Sequence, residues 1–203
     1  MSSKHQLQAL REKIDSIDDE LMASISRRAE LAKQVADLKR KEDTISYYRP
    51  EREAEVLRRI MTRNPGPLSD KEIAVLFRQV MSACLALEEP IEVAYLGPEG
   101  TFTQEAALKH FGQSVTTSPK LAIDEVFREV EADCCDYGVV PVENSTEGVI
   151  NQTLDSFIDS SLRICGEVEL PIHQHFLVGI PLQNGKITRV YSHSQSLAQC
   201  RQW

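Results

Sequence analysis

From Leu7 to Leu38 the large apolar residues fall at 7, 10, 14, 17, 21, 25, 31, 35 and 38, and no Gly or Pro interrupts them. Steps of mostly three and four predict one amphipathic helix, about 48 Å long at ~1.5 Å per residue. Such a rod is too long for two short partners to cover, so it is expected to pack against a second copy of the chain. The stretch RKEDTISYY breaks the period, and Pro50 suits the first turn of a second helix, PEREAEVLRRIMTR, that ends at the NPGP turn. Ser69 with Glu72 forms a capping box that opens a third helix carrying Ile73, Leu76, Phe77, Val80 and Leu87. Residues 1–88 thus read as three helices.

Beyond Glu88-Glu89-Pro90 the texture changes to short β-branched runs separated by Gly and Pro. IEVAYL is expected as a strand, TQEAALKHF as a helix closed by Gly112, SVTT as a strand, KLAIDEVFREVE as a helix and YGVVPV as a strand. A helix around INQTLDSFI follows, then strands LRICGEVEL and HFLVGI, and ITRVYSH running into a last helix. Alternating strands and helices predict a largely parallel sheet. The fold class is therefore α+β multidomain: an all-helical domain over residues 1–90 and an α/β domain over 91–203, which is expected to be incomplete at Trp203.

Charge narrows the function classes. With 23 basic against 31 acidic side chains the net charge is −8, which repels nucleic acids and anionic membranes at long range. No apolar run approaches the ~20 residues of a membrane span, and the opening MSSKHQLQALREK has no signal-peptide core. A cytoplasmic protein is expected. Its five cysteines are odd in number and contain no CxxC pair, and His173 and His175 lie far from any second ligand pair. Reduced core thiols are the better reading than zinc, and no metal or cofactor is expected.

An acidic protein that binds an anion must concentrate its cations locally. Stepping 100° per residue along the first helix places Arg28 and Lys39 near the centre of the stripe made by Leu10, Ile17, Leu21 and Val35, with Arg11 at its edge. A lone Arg there would ordinarily snorkel to water. Two cations on one buried stripe favour an anionic ligand instead. Arg28 and Lys39 are about 16 Å apart along the axis, a spacing at which long side chains leaning together hold opposite ends of a small dicarboxylate. Arg11 lies about 25 Å from Arg28 on the same rod and reaches that ligand only from the antiparallel helix of a second subunit. Arg52 and Glu53, opening the second helix, and Cys84 and Glu88, on the stripe of the third, are expected to close the pocket. Glu88 continues the 73, 77, 80, 84 spacing and should be at least half buried.

In the second half, GPEGTFT places two glycines between a strand and a helix, where backbone N–H groups cradle anions, although the same residues also make an ordinary turn. Glu143, Asn144, Ser145 and Thr146 follow a buried strand, where α/β ligands sit or where a capped helix begins. Ser192 and Gln199 stand at another strand-to-helix turn.

LQALREKIDSID, RRAELAKQV, the Lys39 position, YRPEREAEVL and LFRQVMSACLALE together resemble the all-helical chorismate mutase domain over residues 5–88. The resemblance implies that Arg28 and Lys39, with Arg11 of the partner subunit, bind the carboxylates and neighbouring oxygens of chorismate, that Arg52 assists, and that Glu53 takes the ring hydroxyl. Two places depart from the family's best-known form: a serine near Cys84 is lost, and a glutamine that donates to the ether oxygen appears as Glu88. YLGPEGTFT, GVVPVENSTEG and YSHSQSLAQC, in that order, resemble the prephenate dehydratase domain, which in many bacteria follows a chorismate mutase domain in one chain. That match implies a prephenate site lined by Glu143, Asn144, Ser192 and Gln199, with Thr101 at a ligand carboxylate. The family's Thr-Arg-Phe motif lies beyond Trp203, so the resemblance implies an active, homodimeric mutase and an inactive dehydratase part in phenylalanine biosynthesis. The competing reading is a helical dimerisation module joined to a non-catalytic, two-lobed domain for a small ligand.

Overall fold

The computed structural model describes residues 3–41, 49–144, 148–178, 187–192, 196–197 and 200. Helix α1 spans Ser3–Lys41, α2 Pro50–Arg63 and α3 Asp70–Leu85. Each boundary has a local cause. Lys39, Arg40 and Lys41 crowd the last turn of α1, where cations oppose the partial negative charge of the free carbonyls. Pro50 opens α2, where its missing N–H costs nothing. At α3 the capping box closes in both directions: Glu72 N donates to Ser69 Oγ at 3.3 Å, and Ser69 N donates to Glu72 Oε2 at 2.8 Å. The Asn64 amide ties the intervening turn by donating to Leu68 O and Asp70 Oδ1, both at 2.8 Å, and so lays α2 against α3.

The α/β half runs β1 (Glu92–Leu96), α4 (Phe102–Phe111), β2 (Thr116–Lys120), α5 (Ile123–Glu131), β3 (Tyr137–Val139), β4 (Glu143–Asn144), β5 (Gly148–Val149) and α6 (Asn151–Asp159). Strands β2, β1 and β3 form a parallel sheet in that order, with Tyr95 opposite Pro119 on one side and Val139 on the other. Alternation along β1 sends successive side chains to opposite faces. Val93 packs with Ala107 and Phe111 of α4, while Ala94 packs with Val126 of α5 and Cys135. Helix α6 covers α5 through an edge-to-face pair, Phe127 and Phe157, whose centroids are 4.8 Å apart. Among the described residues no helix is long and apolar enough to cross a membrane.

The expected order of elements holds through β3, with shifts at boundaries, and the expected helix α6 is reached only after a short antiparallel pair, β4 and β5, that was not expected. The second strand begins at Thr116, two residues after the start of SVTT, and takes in Pro119 and Lys120, which were expected next to and within a helix. Their register is fixed from outside, since Gly97 N donates to Lys120 O at 2.8 Å. The third strand stops at Val139, short of Pro141, which has no N–H to give a ladder. The strands expected in LRICGEVEL, HFLVGI and ITRVYSH are a larger correction: their described residues are irregular. A β-branched run becomes a strand only when another strand meets its N–H and C=O groups, and among the described residues none does; Ile164 and Leu177 stay 73% and 88% exposed.

Thr153, 0% exposed, donates to Pro141 O at 2.7 Å and so ties the chain after β3 to the first turn of α6. Thr153→Val keeps the shape and strips that half-buried carbonyl of its donor, so stability measured by urea unfolding should drop by about 1 kcal/mol.

Candidate active site

Along α1 only Arg28, Ala29, Ala32, Ala36 and Lys39 are drawn below full exposure, and Ala36 is buried. They lie on one face at helical spacing, where α1 meets α3. Three alanines let the two backbones approach closely, and the long side chains at each end of the patch, Arg28 and Lys39, extend past it toward the end of α3. Arg40 fastens that end: its Nη2 donates to Glu88 O at 3.0 Å, while its Nη1 pairs with Asp37 at 3.2 Å. Glu88 itself sits on the short turn that closes α3, its N–H donating to Leu85 O at 2.8 Å. Cys84, one turn earlier on the same face, is buried with a free thiol.

The carboxyl of Glu88 therefore stands among Lys39, Arg28 and Arg40. Burial nevertheless dominates and pushes its pKa above the ordinary value, against the downward pull of those three cations in that order. A neutral Glu88 donates one hydrogen bond, whereas an ionised one only accepts. Two cations at the ends of an alanine patch can hold a small dianion, and the carboxyl near them, when it carries its proton, can hydrogen-bond an oxygen that gains negative charge.

Arg52 and Glu53 do not join this group. Arg52 donates to Glu55 at 2.6 Å in an exposed i,i+3 pair, and that bond holds the Glu55 carboxyl below its usual range. Glu53 accepts from Arg78 Nε at 3.0 Å. Arg78 precedes Glu88 by ten residues along α3, which is roughly 15 Å of helix and its closing turn. Arg11 is exposed on the far part of α1, flanked by Leu10 and Ile14, which are 57% and 56% exposed. Sequence reasoning missed Arg40 and Arg78. At a helix end and on a helix flank, each has the pattern of an ordinary solvated charge, and only the fold supplies its partner.

In the α/β half the chain moves from β1 to β2 on one side and then to β3 on the other, the strand order that in open α/β sheets places a ligand beyond the carboxyl ends of the two strands where the direction reverses, here β1 and β3. Thr101 follows β1 and Glu143 and Asn144 follow β3, which brings these three candidates to one edge of the sheet. Thr101 starts α4 and donates to Leu96 O at 3.2 Å, and Gly100 N donates to Gln104 Oε1 at 2.7 Å. Glu143 is exposed and Asn144 half-buried in a two-stranded antiparallel pair with Gly148 and Val149. Ser192 is exposed on an irregular segment, and Ser145, Thr146 and Gln199 lie outside the described residues.

Comparison with known proteins gives both halves relatives. A family model for chorismate mutase type II matches residues 10–89, and one for prephenate dehydratase matches residues 93–203. Curated proteins from Stutzerimonas stutzeri and Pseudomonas aeruginosa, each named bifunctional chorismate mutase/prephenate dehydratase, are both 59% identical over 100% of this chain. The chain spans 57% of the length of each of these two relatives. A chorismate mutase structure (Form II) from Thermus thermophilus is 36% identical over 41% of this chain and 94% of its own, with a TM-score of 0.40.

The Glu88 titration is directly measurable. Carboxyl NMR on the labelled chain should show Glu88 titrating above 4.5, and Lys39→Gln should raise it further than Arg28→Gln, because each removes a cation that lowers it. By linkage, the stability this group contributes is fully present below its unfolded pKa and is lost as pH rises through the folded one. Titration at or below 4.5 would mean that the cations outweigh burial.

Proposed function

The chain belongs to the prephenate dehydratase family, with a type II chorismate mutase domain ahead of the dehydratase part, and from that footing we propose that its helical half converts chorismate to prephenate. The observation that carries the reading is the meeting of Arg28, Lys39 and Glu88 where α1 crosses α3. The rearrangement is unimolecular and pericyclic and needs neither a nucleophile nor an acid-base pair. What accelerates it is holding the reactive chair-like conformer and stabilising charge as the ether bond breaks. In this reading Arg28 and Lys39 grip the substrate's carboxylates and neighbouring oxygens, and protonated Glu88 donates to the ether oxygen. Buried Cys84 packs beside them. Arg52 and Glu53, engaged with Glu55 and Arg78, are not assigned a role in this arrangement.

The site is completed by a second chain. Ten large apolar side chains of α1, from Leu7 to Leu38, remain 45% to 63% exposed, far more contiguous apolar surface than a monomer ordinarily shows. An antiparallel partner helix covers that face and brings Arg11 of the partner subunit to Arg28 and Lys39. The α/β half then takes up prephenate at the crevice edge, with Thr101, Glu143 and Asn144 as contacts and Ser192 and Gln199 joining from the last segment. The whole serves phenylalanine biosynthesis in the cytoplasm.

Chorismate consumption by the purified chain tests the mutase reading, with Arg28→Ala and Lys39→Ala each expected to lower kcat/KM by at least about a hundredfold, as loss of a charge-assisted contact in a desolvated site does. Mixing inactive Arg11→Ala and Arg28→Ala chains should restore up to one intact site per heterodimer. No recovery after demonstrated subunit exchange would rule out the shared site.

Glu88 sets a pH limit on the same reaction. Activity should fall as pH rises through its elevated pKa, because the ionised carboxylate no longer donates and repels the developing charge. Glu88→Gln supplies a permanent donor of the same shape and should flatten the alkaline limb of the kcat/KM profile while keeping turnover. Identical profiles for wild type and variant would remove Glu88 from the ether oxygen.

A further inference from the structure

Helix α3 ends without help from its own sequence. No basic residue stands in its last turn, although the free carbonyls of a helix end carry a partial negative charge that a cation relieves. No glycine follows it either. The backbone tightens instead: Leu87 N donates to Cys84 O at 3.2 Å and Glu88 N to Leu85 O at 2.8 Å, each over a three-residue step, and Glu89 N shares the Leu85 carbonyl at 3.0 Å. Glu88 is thus held by few backbone bonds, yet it is half-buried.

The missing cation comes from the neighbouring helix. Lys39, Arg40 and Lys41 stand in the last turn of α1, and that end lies beside the end of α3, so two partial negative poles are brought together. Arg40 spans them. Its Nη2 donates to Glu88 O at 3.0 Å, and its Nη1 pairs with Asp37 Oδ1 at 3.2 Å. An exposed ion pair such as that with Asp37 contributes little by itself. Its effect is to fix the planar guanidinium so that the second nitrogen meets the carbonyl. The charges facing the Glu88 carboxyl are Lys39, Arg28 and Arg40 of α1, with Asp37 behind Arg40 and Glu89 next in the chain.

We propose that Arg40, braced by Asp37, caps the end of α3 from outside and is a positioning residue for the mutase reaction: by holding the Glu88 carbonyl it keeps the Glu88 side chain seated among Lys39 and Arg28. This role rests on the mutase reading. Arg40 touches no substrate and acts only through Glu88. A strut and a bare charge in the same place have opposite effects. As a charge alone Arg40 lowers the Glu88 pKa, so its loss would raise it. As a strut it keeps the carboxyl buried, and burial is the largest influence on that group. Its loss then loosens the turn, lets water reach the carboxyl and lowers the pKa.

Arg40→Met removes the charge and the donors and keeps a linear side chain of similar helix propensity. Carboxyl NMR on the full chain should then show Glu88 titrating lower, toward 4.5. Hydrogen–deuterium exchange at the Glu88 and Glu89 amides should speed several-fold, while the amides of β1 keep their wild-type rates and report an intact fold. For chorismate, kcat should fall several-fold with KM nearly constant, because Arg28 and Lys39 still grip the substrate, and the alkaline limb of the kcat/KM profile should move to lower pH. Arg40→Lys, which keeps a cationic donor of similar reach, should return each readout toward wild type. Asp37→Asn should move each in the same direction as Arg40→Met, by less. A higher Glu88 pKa in Arg40→Met, unchanged exchange at the two amides, or undiminished kcat would each overturn the strut. A wild-type chain that shows these titration and exchange effects but turns over no chorismate would sink the mutase reading and leave the cap of α3 supported.

Discussion

A helix of 39 residues followed by helices of 14 and 16 cannot be covered within one chain. At ~1.5 Å per residue α1 runs about 58 Å, while α3 spans about 24 Å. The structure therefore has to choose which part of α1 to pack internally, and the choice falls on the alanine patch at 29, 32 and 36, where a neighbouring backbone comes close without large side chains intervening. The rest of the apolar stripe stays exposed within the single chain, where the proposed second copy would cover it. Because Arg28 and Lys39 bracket the covered patch and Arg11 stands on the uncovered part, the division of α1 also divides the proposed site between an internal portion and one supplied from outside.

Helix α3 makes the internal portion possible by belonging to two cores. Residues 78, 79, 82 and 85 face the α/β half, and Glu88 on the closing turn faces the cations of α1. On a helix these sets lie on neighbouring faces, so anchoring one limits rotation about the axis and fixes where the other points. Leu85 precedes the boundary expected at residue 90, yet it packs with Ile91 and Phe111. The junction is consequently a continuous packed region and the two halves do not hang on a tether.

Much of this was legible because it is local. The capping box at Ser69 and Glu72, the proline start at Pro50 and the alternation of strands with helices are written in short-range chemistry, and the fold realises them. The cationic stripe was legible for a related reason: periodicity alone puts Arg28 and Lys39 on one face. What escaped depends on partners distant in sequence. LRICGEVEL has the composition of a strand but pairs with no strand among the described residues, and Arg78 has the composition of a surface charge but joins residues 53 and 109. Glu53 likewise has a contact, to Arg78 of α3, that its motif does not reveal.

The electrostatics of Glu88 bear on why a carboxyl serves at a place ringed by cations. If Glu88 were ionised, Arg28 and Lys39 would already be neutralised, and a dicarboxylate substrate would have to compete with an internal anion for both. Burial works against this by raising the carboxyl pKa, even though Lys39, Arg28 and Arg40 oppose it. Arg40 contributes without spoiling the balance, since its short contact is to the Glu88 backbone carbonyl at 3.0 Å and its charge is shared with Asp37. In the proposed reaction a proton on Glu88 would do two things: keep this carboxyl from competing with the incoming anion, and provide a donor for the breaking ether bond. Both would be lost together on ionisation, because in that proposal binding and bond-breaking draw on the same protonation state.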